Sequence, residues 1–168
     1  KFKDVTKEAG IYSGDSGFGL GIAVGDVNND YYPDIYISND FWERDYMYIN
    51  QKNGTFKEVL PDNFTYVSAN SMGADIADIN NDGCLDIFST DMLPASNQRL
   101  KAAIMMEEFY LDELKAKNSY FNQYIQNCLH VNNGDGTFKE TAFYSGVAST
   151  DWSWGSLVFD MDNDGLKD

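Results

Sequence analysis

Three segments of this chain carry oxygen-bearing side chains at positions 1, 3, 5 and 9 of a nine-residue stretch. They read Asp26-Val-Asn28-Asn-Asp30-Tyr-Tyr32-Pro-Asp34, Asp78-Ile-Asn80-Asn-Asp82-Gly-Cys84-Leu-Asp86 and Asp160-Met-Asp162-Asn-Asp164-Gly-Leu166-Lys-Asp168. A tight loop that turns alternate side chains inward collects four such oxygens, and the carbonyl of position 7 (Tyr32, Cys84 or Leu166) adds a fifth. One bidentate carboxylate or a water then completes the ~6–8 oxygens that Ca2+ takes. Asp, Asn and Gly clusters also build ordinary turns. Three copies in one register favour the cation.

These loops are not EF-hands, which place a bidentate Glu at position 12 and flank the loop with helices. Position 12 is Ile37 in the first loop and Ser89 in the second. The residues that follow, Ile35-Tyr36-Ile37 and Ile87-Phe88, are β-branched and aromatic, hence strand formers. Short apolar stretches precede each loop, so each loop is expected to join two strands.

The register extends outward. Phe2-Lys-Asp-Val5, Phe56-Lys-Glu-Val59 and Phe138-Lys-Glu-Thr141 lie 19, 17 and 17 residues before Gly21, Gly73 and Gly155. Two of these Phe residues close matched hairpins, Tyr48-Ile-Asn50 to Phe56 and His130-Val-Asn132 to Phe138. Their Asn-Gly and Asp-Gly pairs are expected to supply the positive φ of tight turns. One repeat is therefore a four-stranded antiparallel unit.

The first two loops start 52 residues apart and the last two 82 apart. The surplus falls at 94–127, where Asn97 to Lys115 is rich in helix formers. Leu100, Ile104, Phe109, Leu111 and Leu114 stand near helical spacing, and Ser96 or Asn97 could cap the start. The expected fold is all-β: part of a β-propeller of four-stranded antiparallel blades with a helical insertion. Residues 1–5 read as the last strand of one blade, 21–59 as a second, 73–141 as a third interrupted by the insertion, and 155–168 as the start of a fourth. A chain that opens on Lys1 and stops on the ninth loop position is expected to be a piece of a longer protein.

The pattern resembles the FG-GAP/VCBS-type repeats of integrin α-subunit propellers and bacterial surface propellers. Within that group, Phe2 to Gly10 and Asp151-Trp-Ser-Trp-Gly155 resemble proteins that often end in an ASPIC/UnbV domain. The resemblance covers nearly the whole chain outside the insertion. It implies loops between the first and second strands of a blade, and a propeller used for adhesion or ligand binding. One departure stands out: Tyr31 occupies the turn position held by Gly83 and Gly165, where a left-handed backbone disfavours a side chain.

The net charge of −15 argues against nucleic acid and anionic membranes, both of which call for Lys/Arg clusters. Ten of the 27 carboxylates lie in the three loops, so much of this acidity has a site to serve. No stretch is long and apolar enough to span a bilayer. Cys84 and Cys128 could pair or remain free thiols. Loops of this kind suit millimolar external calcium, which points to an extracellular or outer-surface setting.

His130, the single histidine, aligns with Tyr48 and reads as a routine strand position. Phe18, Trp152 and Trp154 precede first strands and are expected to pack between blades, although Trp152 could also stack on a sugar. Tyr110, Tyr120, Phe121 and Tyr124 either form a binding surface or pin the insertion down. Two functional classes follow. One is a non-enzymatic calcium-stabilised module for adhesion, complex assembly or binding of a protein or glycan, alongside further blades of a longer chain. The other is a calcium-dependent polysaccharide lyase, which would want basic residues beside the loops. The 12 Lys and Arg show no such grouping, which favours binding.

Overall fold

The computed structural model describes residues 1–12, 16–103, 109–118 and 120–168. It is mostly β, and its two larger sheets are antiparallel. The first holds β1 (Phe18–Gly25), β2 (Asp34–Asp40), β3 (Tyr46–Asn50) and β4 (Phe56–Glu58) in sequential order. After the short helix α1 (Leu60–Asn63) and the two-residue strand β5 (Val67–Ser68) come β6 (Ala74–Ala77) and β7 (Asp86–Ser89) of the second sheet. Helices α2 (Asn97–Ala103) and α3 (Phe109–Lys117) follow, then the short strand β8 (Gln123–Tyr124), which pairs in parallel with β5. The second sheet is completed by β9 (Cys128–Asn132) and β10 (Phe138–Glu140), and α4 (Ala142–Ser145) comes after it.

Both sheets open with the same hairpin. Gly25 pairs with Asp34 and Ala77 with Asp86, so an acidic loop closes the first two strands of each. Apolar side chains from facing sheets form the core: Tyr36, Met47 and Ile87 meet Leu60, Phe64 and Phe138, with Ala74 and Ile76 packed against them. Phe64 stacks on Phe138 at 4.5 Å between centroids. Burial of side chains of this size contributes roughly 1.5–3 kcal/mol each.

The two antiparallel sheets run over 18–58 and 74–140, where blades were expected at 21–59 and 73–141. Residues 1–5, expected as a strand, carry none: the segment leads into a turn whose Ala9 carbonyl accepts the Phe56 N–H on the outer side of β4. A strand persists only where a neighbour pairs with it, and no described strand flanks 1–5. Residues 155–159 likewise carry no assigned strand. The β3–β4 and β9–β10 turns take positive φ at Lys52 and Gly54 and at Gly134 and Gly136, not at adjacent residues as Asn-Gly and Asp-Gly had implied.

Among its described residues the insertion forms two helices, and Ser96 supplies the cap of the first: its Oγ accepts the Arg99 N–H at 3.2 Å. Ile104 lies outside the described residues. Leu114 and Tyr110 are exposed, so the insertion's helical face is only partly covered. Beyond α3, Phe121 packs on the main core, and Gln126 and Asn127 are buried. The end of the insertion therefore belongs to the body of the fold.

Candidate metal centres

The three acidic loops fold by one network of hydrogen bonds. In the first, Asp26 accepts the N–H groups of Asp30 at 2.9 Å and Tyr31 at 2.6 Å, while Asn28 Oδ1 accepts Asp30 N–H at 3.1 Å. Asp30 accepts Tyr32 N–H at 2.9 Å, and Asp34 accepts Val27 N–H at 3.1 Å. The second loop repeats every bond: Asp78 with Asp82 and Gly83, Asn80 with Asp82, Asp82 with Cys84, and Asp86 with Ile79. So does the third: Asp160 with Asp164 and Gly165, Asp162 with Asp164, Asp164 with Leu166, and Asp168 with Met161. Backbone amides thus hold the side chains of positions 1, 3, 5 and 9 in the same arrangement in all three loops.

Chain reversal in so few residues needs left-handed backbone twice. Position 4 is Asn in every loop, with φ of 57°, 59° and 63° at Asn29, Asn81 and Asn163, which Asn tolerates better than most side chains. Position 6 is left-handed as well. Gly83 and Gly165 adopt φ of 87° and 91° freely, whereas Tyr31 is held at 68°. A non-glycine there costs about 1–2 kcal/mol.

The ninth position is the anchor. Asp34 and Asp86 are fully buried, and each accepts a second backbone N–H from the end of a third strand, Asn50 and Asn132 at 2.8 and 2.9 Å. Burial pushes both carboxyls above the usual carboxylate range; the two amide donors oppose this, and the loops' other carboxylates reinforce it. Asn132 also donates its side-chain amide to the carbonyls of Val27 and Leu85, tying the first loop to the second. The matched Asn in Tyr48-Ile-Asn50 and His130-Val-Asn132 was the sequence signal for this support; its role needed the fold.

Among the described residues the third loop brings three carboxylates close enough to share a hard cation, and the first two loops do not bring theirs to that distance. One oxygen from each of Asp160, Asp162 and Asp168 lies within 4.8 Å of the others. That is about twice the ~2.3–2.6 Å Ca–O distance, so the three can face one ion. All side-chain donors are oxygens. Asp82 is held below the usual carboxylate range by the Cys84 amide and then by Asn80, so it stays ionised. At Asp30, partial burial raises the carboxyl, but the Tyr32 amide, the Lys52 ammonium and Asn28 together bring it below that range. Lys52 lies 3.3 Å from Asp30 Oδ2, a neighbour that sequence reasoning missed.

Cys84 and Cys128 are free thiols. His130 is sealed in the core with its ring edge-on to Phe64 at 4.9 Å, and burial drives its titration down to about 3. Asp45 lies buried between the Tyr36 hydroxyl, the Asn39 N–H and the Ser71 hydroxyl; burial outweighs those three donors and pushes it up to about 7. Trp152 and Trp154 are exposed, while Met72, the counterpart of Trp154 in the preceding repeat, is buried.

Residues 26–89 match the family model of the FG-GAP-like repeat, a span from Asp26 at the start of the first acidic loop to the end of β7. This match supports the FG-GAP repeat family and a β-propeller-like repeat module. No curated protein matches the chain.

Proposed function

We propose that this chain is part of a calcium-binding β-propeller that serves as a surface module for adhesion, ligand binding or complex assembly, of the kind found with ASPIC/UnbV domains. The observation that carries the reading is the loop network, repeated bond for bond three times around carboxylates that have few cations of their own. Asp26, Asn28, Asp30 and Asp34 would hold the first ion with the Tyr32 carbonyl. Asp78, Asn80, Asp82, Asp86 and the Cys84 carbonyl would hold the second, and Asp160, Asp162, Asp164, Asp168 and the Leu166 carbonyl the third. A bound divalent ion neutralises carboxylates that otherwise repel one another across the loop. Because Asp34 and Asp86 are tied to Asn50 and Asn132, the ion also locks the hairpin to the third strand.

The two face-packed sheets and the repeat match support a propeller-like arrangement with further blades. Leu20, Ile22 and Val24 on β1, and Trp154, Leu157 and Phe159 near the other end, are exposed apolar side chains that neighbouring blades would cover. Among the described residues no helix is long and apolar enough to cross a membrane. External calcium at millimolar levels is the natural supply, which favours an extracellular or outer-surface location. Binding is favoured over polysaccharide cleavage because His130 is buried and neutral, out of reach of any substrate.

Thermal melts with calcium and with excess chelator test the reading. A ligand held only by the folded chain at 100 times its dissociation constant adds ~2.7 kcal/mol per site. Equal melting temperatures in the two conditions would refute calcium binding.

A further inference from the structure

We propose that Lys52 is a tethered counter-cation of the first loop, supplying there part of the positive charge that calcium supplies to the second and third, and so setting which loops load. The proposal rests on the calcium reading of the loops. The Lys52 Nζ stands 3.3 Å from Asp30 Oδ2 and 5.3 Å from the centre of the Tyr32 ring. It thus contacts the side chain of the fifth ligand position and the ring of the residue expected to give the loop its carbonyl. Asp30 Oδ2 also accepts the Asn28 side-chain amide at 3.1 Å, so this oxygen is already met by two donors.

The scaffold places Lys52 there. Asn50 donates its N–H to Asp34 Oδ1, and its side-chain oxygen accepts the Lys52 N–H at 2.9 Å, welding the β3–β4 turn to the acidic loop. The second sheet builds the same device: Asn132 donates to Asp86, and Asn132 Oδ1 accepts the Gly134 N–H at 2.9 Å. Both turn residues are left-handed, with φ of 62° at Lys52 and 74° at Gly134. The backbone prefers glycine at such a φ, yet the first sheet carries a lysine whose charge reaches the loop. At the matching point of the second sheet there is no side chain, so Asp82 faces no ammonium from its hairpin.

A dication entering the first loop must displace this ammonium or share Asp30 with it. The Lys52 side chain is half exposed and solvent screens the pair, which keeps the effect modest. Lys52 should weaken calcium binding at the first loop while keeping that loop ordered when calcium is scarce.

Calorimetric titration of the intact chain with calcium, for wild type, Lys52→Met and Lys52→Gly, tests this. Both variants should tighten the weakest site by on the order of fivefold and leave the others unchanged. Lys57→Met, on the exposed side of β4, should match wild type. If calcium binds but the weakest site is unaltered in both variants, the counter-cation role is overturned and the calcium reading stands. If only Lys52→Gly tightens it, backbone strain and not charge limits the loop, which also overturns the proposal. If no calcium binds to any variant, the calcium reading itself fails.

Discussion

A β-carbon added to Gly21 would lie 2.8 Å from the Cα of Gly73, and one added to Gly73 would lie 3.0 Å from the Cα of Gly155. These three glycines hold the same place in successive repeats, just before each acidic loop. The segments that precede neighbouring loops therefore touch backbone to backbone, and the reason for glycine here is space, because none of the three has positive φ. Backbone cannot swing aside as a side chain can. Gly21→Ala and Gly73→Ala should each cost about 1–3 kcal/mol in urea unfolding. Gly155→Ala meets nothing within 4 Å in this chain and should stay within about 0.5 kcal/mol. Equal losses at all three would mean that the close approach is not what matters.

The three loops should differ in calcium affinity, in the order third, second, first. The third has four carboxylates, whereas Asn28 and Asn80 replace one in the others. The first also bears the strained Tyr31. Since Tyr31 is 95% exposed, Tyr31→Gly loses no packing and relieves the left-handed strain. The variant should raise folding stability in urea melts, by an amount below the ~1–2 kcal/mol strain because glycine also loosens the unfolded chain. Asp164→Ala should abolish the tightest site and Asp30→Ala the weakest. A larger affinity loss from Asp30→Ala would reverse the order.

The loops and sheets were legible in sequence because their demands are local. Acidic spacing, Asn at a left-handed position and β-branched runs can each be read within ten residues. Lys52 was not legible, since its partner Asp30 is 22 positions away and the matched residue, Gly134, gives no hint of a cation. The strand expected at 1–5 failed because a strand is defined by its neighbour, and the Phe-Lys-Asp-Val pattern does not say whether one is present. The β5–β8 pairing lay hidden for a similar reason: two residues each give no periodicity.

His130 makes stability sensitive to acid. Its folded-state titration lies at about 3, well below the ~6.5 of an unfolded histidine. Above pH ~6.5 neither state binds the proton, and its contribution to stability is whole. As pH falls from ~6.5 toward 3, the unfolded chain takes up a proton that the folded one refuses, and stability drops by up to ~1.4 kcal/mol per pH unit. His130→Leu removes this term, so its deficit against wild type in urea melts should shrink steadily across that window. Parallel stability curves for the two proteins would show that His130 is not held neutral.

The insertion should divide into a dispensable part and an anchored part. Helices α2 and α3 are fastened by surface contacts such as the Arg99–Asp151 ion pair at 2.5 Å and Lys115 over the Trp42 ring. Such exposed pairs contribute little, roughly 0–1 kcal/mol. The chain beyond them differs in kind: β8 pairs with β5, Phe121 enters the core, and Gln126 N–H donates to the buried Asp91 at 3.2 Å. Losing that donor, along with the bonds Asn127 makes to Asp91 N–H and the Val147 carbonyl if the cut were extended one residue, would strand buried polar groups at about 1–3 kcal/mol each. Replacing residues 97–118 with a short Gly/Ser linker should keep a cooperative urea transition within about 1 kcal/mol of wild type while removing any partner contact the helices make. Extending the excision through Gln126 should destroy that transition. If the shorter excision also unfolds the chain, the helices are part of the core; if the longer one melts like wild type, the anchoring through β8 and Gln126 is wrong.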